Sequence, residues 1–298
     1  MVYESVLNRI GNTPLFKLGK ISSGNLFAKG EFFNPGGSIK DRVALHIIEL
    51  AEQESKLKPG MTIIEATSGN TGIGLSLVGC RKGYRVICVM PENMSSERVK
   101  IIKAFGGEVV QTAAEDSLDG SVARVREIIK EHPENFFYVQ QFSNPLNPDA
   151  HYKKTAREIW NSMNGEIDVF VAGVGSGGTL QGVGTFLKEK NPDIKLVAVE
   201  PKESAALLGR EPGLHQIQGI GDGFVPELLD KSIIDMVFTV SDKEAIETTR
   251  KLSREEGLLA GTSSGANVFV AMHLDNRHNR VVTVLPDRAE RYFSTALI

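Results

Sequence analysis

From residue 61 onward, short runs rich in β-branched residues alternate with longer stretches whose apolar side chains recur every three or four positions. The run Thr62-Ile63-Ile64-Glu65-Ala66 predicts a strand, and 71–79 the start of a helix. A second strand is predicted over 85–90. Val99, Ile101, Ile102 and Phe105 then fall at roughly helical spacing within the charged stretch 95–105. Strands over 108–111 and 136–140 bracket a helix over 118–131, and another helix is expected over 149–163. The second half repeats the pattern, with a strand over 169–172, a glycine-rich turn and a helix over 179–188. Further strands are predicted over 196–199, 236–240 and 281–285.

Such alternation implies parallel strands joined by right-handed helical crossovers, an α/β fold with mostly parallel twisted sheets. Sheets of this kind bind ligands at the carboxyl ends of their strands. The glycine-rich segments of this chain sit at those junctions. No internal repeat or low-complexity linker separates the halves, so two domains would interleave rather than follow one another.

Composition narrows the function classes. A chain of 298 residues can bury a proper core, and 41% hydrophobic with 24% charged residues excludes a disordered protein. A net charge of -3 gives no electrostatic argument for nucleic acid or an anionic membrane, so any bound anion must be held by local groups. No apolar run is long enough to cross a bilayer, and no basic-then-apolar leader is visible; a cytoplasmic protein is expected. Cys80 and Cys88, each in a hydrophobic segment without a nearby His pattern, are expected as buried structural thiols. The six histidines show no ligand spacing, and no metal site is expected. His151 and Trp160 read as structural, and Lys153-Lys154 as solvated surface.

Four loops carry chemistry. Asn34-Pro35-Gly36-Gly37-Ser38-Ile39-Lys40-Asp41-Arg42 forces a turn before a predicted helix over 43–53. A lysine at the mouth of a helix lies near its positive end, which favours the neutral amine needed to attack a carbonyl. The competing reading is an exposed lysine beside Asp41. Ala66-Thr67-Ser68-Gly69-Asn70-Thr71-Gly72 follows a strand and gathers hydroxyl, amide and backbone donors suited to a small carboxylate. A helix cap needs only one such residue. Gly173-Val174-Gly175-Ser176-Gly177-Gly178-Thr179 lets backbone N–H groups approach a phosphate at a helix N-terminus. It also matches G-x-G-x-x-G, with Glu200 where a ribose-binding acid could sit, so a nicotinamide oxidoreductase is a rival. Gly261-Thr262-Ser263-Ser264-Gly265-Ala266 opens another helix; a serine there could cap or meet a ring nitrogen.

Together and in this order, the four loops resemble the cysteine synthase (O-acetylserine sulfhydrylase) family of fold-type II pyridoxal-phosphate enzymes. The likeness runs from Ile10-Gly11-Asn12-Thr13-Pro14-Leu15 to Glu290-Arg291-Tyr292-Phe293-Ser294-Thr295. Gln141-Phe142-Ser143-Asn144-Pro145 and Gln218-Gly219-Ile220-Gly221 look more like cysteine synthases than like cystathionine β-synthases or threonine dehydratases. The resemblance implies two interleaved three-layer α/β/α domains: a larger cofactor-binding one of residues 1–39 and 141–298, and a smaller mobile one of 40–140. Lys40 would be the Schiff-base lysine and the base for the Cα proton. Asn70 would bond the ring hydroxyl of pyridoxal 5'-phosphate, and Gly175, Ser176, Gly177, Gly178 and Thr179 would cradle its phosphate. Ser263 would face the pyridine nitrogen. Thr67, Ser68, Gly69, Thr71, Gln141 and Gly221 would bind the amino-acid substrate. The implied activity is β-replacement through an α-aminoacrylate, making L-cysteine from O-acetyl-L-serine and sulfide. Its alternative uses L-cysteine, releasing hydrogen sulfide and adding water, another thiol or an amino acid. The resemblance also implies a homodimer and, in some members, a cleft that receives the C-terminal tail of serine acetyltransferase.

Two positions depart from the family pattern. Asp222, in Gly221-Asp222-Gly223-Phe224, stands where many members carry a small residue; it reads first as a solvated turn aspartate, or else as a carboxylate able to activate water. Arg288, in Pro286-Asp287-Arg288-Ala289-Glu290, reads as a surface charge or a contact to an acidic leaving group.

Overall fold

Strand pairing begins earlier than the hydrophobic pattern predicts. In the computed structural model, which describes residues 2–275 and 279–297, β1 (Leu15–Lys17) and β2 (Asn25–Gly30) form an antiparallel ribbon before the alternation starts. Three residues are too few for β1 to show a period of two, which is why the sequence pattern passes over it.

The chain then enters α1 (Lys40–Gln53) and builds a four-stranded parallel sheet from β3 (Thr62–Ala66), β4 (Arg85–Pro91), β5 (Glu108–Thr112) and β6 (Phe136–Tyr138), in the order β5-β4-β3-β6. Its crossovers are α2 (Asn70–Lys82), α3 (Ser96–Ala104) and α4 (Ser117–Ile129). Every residue of β3 is buried, because helices cover both faces. Ile63 and Cys88 pack against α1, α2 and α3, while Ile64, Ala66, Ile87 and Val89 pack against Val125 of α4. Each such aliphatic side chain contributes about 1.5–3 kcal/mol by leaving water.

After α5 (Leu146–Ala150), a single π-helical turn His151–Thr155 and α6 (Ala156–Ser162), the chain returns to the first ribbon. It adds β7 (Val169–Gly173), α7 (Gly178–Lys190), β8 (Lys195–Pro201), β9 (Met236–Val240), α8 (Asp242–Glu256), α9 (Thr262–Leu274) and β10 (Arg280–Leu285). The six-stranded sheet runs β1-β2-β10-β7-β8-β9, parallel except at β1. Val169, Val171, Val197 and Val199 face α8 and α9; Phe170, Ala172, Leu196 and Ala198 face α6 and α7. The first ribbon and the last strand are neighbours, so the larger sheet is closed only after the smaller one has been inserted. Among the described residues no helix is long and apolar enough to cross a membrane.

Candidate active site

The strand-to-helix loops of both sheets converge on one cleft, where parallel sheets place their ligands. Lys40 is the first residue of α1, and its Nζ donates to Ser176 Oγ at 3.0 Å. The turn before it needs glycine: Gly37 has φ 80°, and the Arg291 guanidinium holds the carbonyls of Gly36 and Gly37. Ile39 N–H is tied to the Pro286 carbonyl at 2.8 Å, at the end of β10. Burial lowers the Lys40 pKa to about 8, partly opposed by the nearby Asp222 carboxylate. Burial, rather than the helix end invoked from sequence, is the larger cause. Asp41 points the other way and accepts the Gly36 N–H at 2.6 Å.

The glycine loop after β7 forms a cradle. A Cβ on Gly175 would overlap the Gly219 carbonyl, one on Gly178 would overlap Asn147, and Gly177 has φ 77°. Ser176 Oγ also accepts from Asn147 Nδ2 at 2.9 Å. Thr179 Oγ1 lies 3.4 Å from His151 Nε2. His151 is kept neutral by burial and by the charges of Lys40, Arg42 and His46. Its structural role therefore extends to the rim of the cradle.

On the opposite wall, Ser68, Asn70, Thr71 and Gln141 line the cleft. Thr71 Oγ1 donates to Gln141 Oε1 at 2.6 Å, and Gln141 Nε2 donates to the Ala66 carbonyl at 2.9 Å. Thr67 and Gly69 do not line the cleft: the Gly69 N–H donates to Thr67 Oγ1 at 3.0 Å, and the Arg98 side chain fills the space of a Gly69 Cβ. Gly178 and Gly221 also stand back from it, Gly221 lining the neighbouring mouth instead. Ser263 and Asn267 of α9 close the far side. The Oδ1 atoms of Asn70 and Asn267 are buried without a hydrogen-bond partner, and together with the lowered lysine and the glycine cradle they fit a phosphorylated heteroaromatic aldehyde.

Several sequence readings need correction. Asp222 is not a solvated turn residue: it lines the cleft, and burial raises its pKa against the pull of Lys40 and His215. Cys80 is exposed near the end of α2, whereas Cys88 is buried as expected. The helix expected over 149–163 is interrupted by the π turn. Glu200 spends its carboxylate on the Leu207 N–H at 3.0 and 3.2 Å, which removes the acid a dinucleotide reading requires. Arg288 is exposed and donates to the Phe32 carbonyl, as the surface reading expects.

Its neighbour Asp287 is the residue the sequence analysis missed. Its Oδ2 accepts from Asn70 Nδ2 and from Tyr292 OH, both at 2.6 Å. The signal was its place directly beyond β10, where parallel sheets present ligand-binding groups. Asn147, which holds Ser176, carries no such signal, because it sits inside α5.

A lowered lysine amine facing a glycine cradle, at the carboxyl edge of two parallel sheets, is what an enzyme built around a phosphorylated aldehyde cofactor requires. The family model of pyridoxal-phosphate dependent enzymes matches residues 6–287. A cysteine synthase of Staphylococcus aureus is 46% identical over 99% of this chain and 96% of its own length. Among solved structures, O-acetyl serine sulfhydrylase isoform 3 of Entamoeba histolytica is 43% identical, covering 100% of this chain and 92% of that one, with a TM-score of 0.94. A hydrogen sulfide-producing enzyme of Fusobacterium nucleatum is 39% identical, covering 98% and 100%, also with a TM-score of 0.94. The chain belongs to the cysteine synthases of the pyridoxal-phosphate dependent family, and its cofactor is pyridoxal 5'-phosphate.

Proposed function

We propose that the protein makes L-cysteine from O-acetyl-L-serine and sulfide by β-replacement, with Lys40 carrying the cofactor. The observation that bears most weight is Lys40 itself, whose lowered amine lies between the glycine cradle and the Ser68–Asn70–Thr71–Gln141 wall. The chemistry supplied by bound pyridoxal phosphate is an electron sink for the substrate Cα. Gly175, Ser176, Gly177, Gly178 and Thr179 would hold its phosphate, Asn70 its ring hydroxyl and Ser263 its ring nitrogen. Ser68, Thr71 and Gln141 orient the substrate carboxylate, with Thr67 and Gly69 shaping that loop from behind and Gly221 flanking the mouth. Lys40 takes the Cα proton as acetate leaves and returns it once sulfide has bonded to Cβ. Residues 40–140 would move as a smaller domain over the larger one, excluding water when the carboxylate is gripped. The same reading carries a cytoplasmic homodimer able to receive the C-terminal tail of serine acetyltransferase; sedimentation, with and without that peptide, tests both associations.

Asp222 supports a second reading. A half-buried carboxylate facing Lys40 across the cleft is placed to take a proton from water, which suits release of sulfide from L-cysteine with serine as product. Two initial rates decide: cysteine formation from O-acetylserine and sulfide, and sulfide release from cysteine alone. Dominance of the first establishes the biosynthetic reading; dominance of the second replaces it. Asp222→Asn is expected to lower water addition by about 10²–10⁴-fold while sparing sulfide addition. Equal loss of both reactions would remove the role given to Asp222.

A further inference from the structure

A chain of buried polar groups joins the two sheets behind the cleft. Arg98, on α3 of the smaller sheet, donates to Tyr292 OH at 2.9 Å, and its guanidinium lies over the Tyr292 ring, 4.8 Å from the centroid. Tyr292 OH donates in turn to Asp287 Oδ2 at 2.6 Å, and the same oxygen accepts from Asn70 Nδ2 at 2.6 Å. Arg98, Tyr292 and Asp287 are all buried. Burial and the Asp287 charge raise the Tyr292 pKa, so the phenol keeps its proton and the chain runs in one direction.

Asp287 is more than a counter-ion for Arg98. The two approach only to 3.9 Å, with the Tyr292 hydroxyl bonded to both, whereas a direct charge-assisted bond would measure about 2.7–2.9 Å. Among the described residues Arg98 Nε and Nη1 have no acceptor, yet Asp287 Oδ2 is turned to Asn70 and Tyr292. The other oxygen is lodged at the start of α9, where a Cβ on Gly261 would overlap Asp287 Oδ1. The carboxylate is held on both sides, and the group it meets is a residue of the cleft wall. An asparagine amide can turn end for end, exchanging donor for acceptor, but a carboxylate only accepts. Facing Asp287, the Asn70 amide therefore has one allowed sense, with Nδ2 toward the carboxylate.

We propose that Asp287 is a positioning residue for the reaction: it fixes the sense in which the Asn70 amide meets the cofactor, and Tyr292 with Arg98 holds Asp287 in place. This role rests on the assignment of Asn70 to the cofactor's ring hydroxyl, and it holds whichever nucleophile enters. Arg98 also fills the space behind Gly69, where a Cβ would overlap its side chain, so the chain braces the substrate loop and the Asn70 contact together. Asp287→Asn is the most direct change, because an amide of the same shape can meet Asn70 in either sense. Tyr292→Phe is milder: it removes one hydrogen bond from the carboxylate and leaves the ring under Arg98.

The test is a double-mutant cycle on the full chain, read as the dissociation constant for pyridoxal 5'-phosphate on reconstitution and as kcat and KM for O-acetylserine. Asn70→Ala is expected to weaken cofactor binding by about tenfold, and Asp287→Asn by about three- to tenfold, the worth of one hydrogen bond. In the Asn70→Ala background, Asp287→Asn should have no further effect, because its influence passes through the missing amide. Tyr292→Phe should follow the same rule with a smaller change. At saturating cofactor, kcat should fall in Asp287→Asn while KM changes by less than about twofold, since Ser68, Thr71 and Gln141 orient the substrate carboxylate. Additive effects in the double variant mark a packing role and overturn the proposal, as does an Asp287→Asn protein with wild-type cofactor affinity; both leave the Asn70 assignment standing. Should Asp287→Asn fail to fold, the Tyr292→Phe cycle decides by the same criterion. An Asn70→Ala protein that binds the cofactor like wild type overturns the Asn70 assignment and the proposal together.

Discussion

At the scale of single residues, the cleft works by withholding water from groups that prefer it. Lys40 is the clearest case, its pKa drawn from 10.5 to about 8 by burial. Because the folded value lies below the unfolded one, the unfolded chain binds the extra proton between about pH 8 and 10.5. Stability of the cofactor-free protein is therefore reduced below pH 8 and recovers as pH rises through that window, by up to about 3 kcal/mol. Urea unfolding at pH 7.5 and 9.5 should show this gain in wild type and not in Lys40→Met. The lysine and its glycine turn were legible in sequence because their chemistry is local. Asp222 was legible only as an oddity; whether its carboxylate met water or Lys40 depended on where the Gly219–Gly223 backbone came to rest against the cradle.

At the scale of elements, the close approach of α5 and α7 shows what periodicity does not convey. A Cβ on Gly182 would overlap the Pro148 carbonyl and come within 2.9 Å of His151 Cβ, so α7 seats directly on the end of α5. The π turn beginning at His151 then aims that imidazole at Thr179. Gly182→Ala is expected to force these helices apart, at a cost of about 1–3 kcal/mol or more, read as a lower thermal midpoint. It should also weaken cofactor retention, because Thr179 lies one turn before it on α7. The hydrophobic pattern over 149–163 predicts one helix, and the apolar face is indeed continuous. The π turn adds a residue while keeping the chain helical, so the pattern marks the helix without marking the turn.

At the scale of the whole molecule, a buried ion network ties the N-terminal segment to the start of α1 and to α6. Arg42 pairs with Glu31 at 2.6 Å and with Glu158 at 2.7 Å, while Lys29 reaches Glu158 at 2.7 Å. Arg42 lies two residues beyond Lys40, so the network also anchors the helix that presents Lys40 to the cleft. Burial alone would raise the Glu158 pKa; hydrogen bonds and charge from Arg42 and Lys29 hold it at about 2. The stabilisation is present above the ordinary glutamate value of 4.5 and is lost as pH falls toward 2. Glu158→Gln should lower stability at pH 7 by about 3–5 kcal/mol and flatten the loss of stability between pH 5 and 3, measured by urea unfolding.

The sequence by itself determined the parallel α/β architecture and the glycine-rich loops at its strand-to-helix junctions, and it brought Lys40 forward as a candidate. Strand and helix periods, glycine at a cradle and a lysine after a forced turn are all set within a few neighbouring residues. It could not place Asp287 against Asn70 or pair Arg42 with both Glu31 and Glu158. Those relations join segments up to 217 positions apart. They exist only because the smaller sheet is inserted between the first ribbon and the last strand of the larger one, and burial then sets the charge each group can carry.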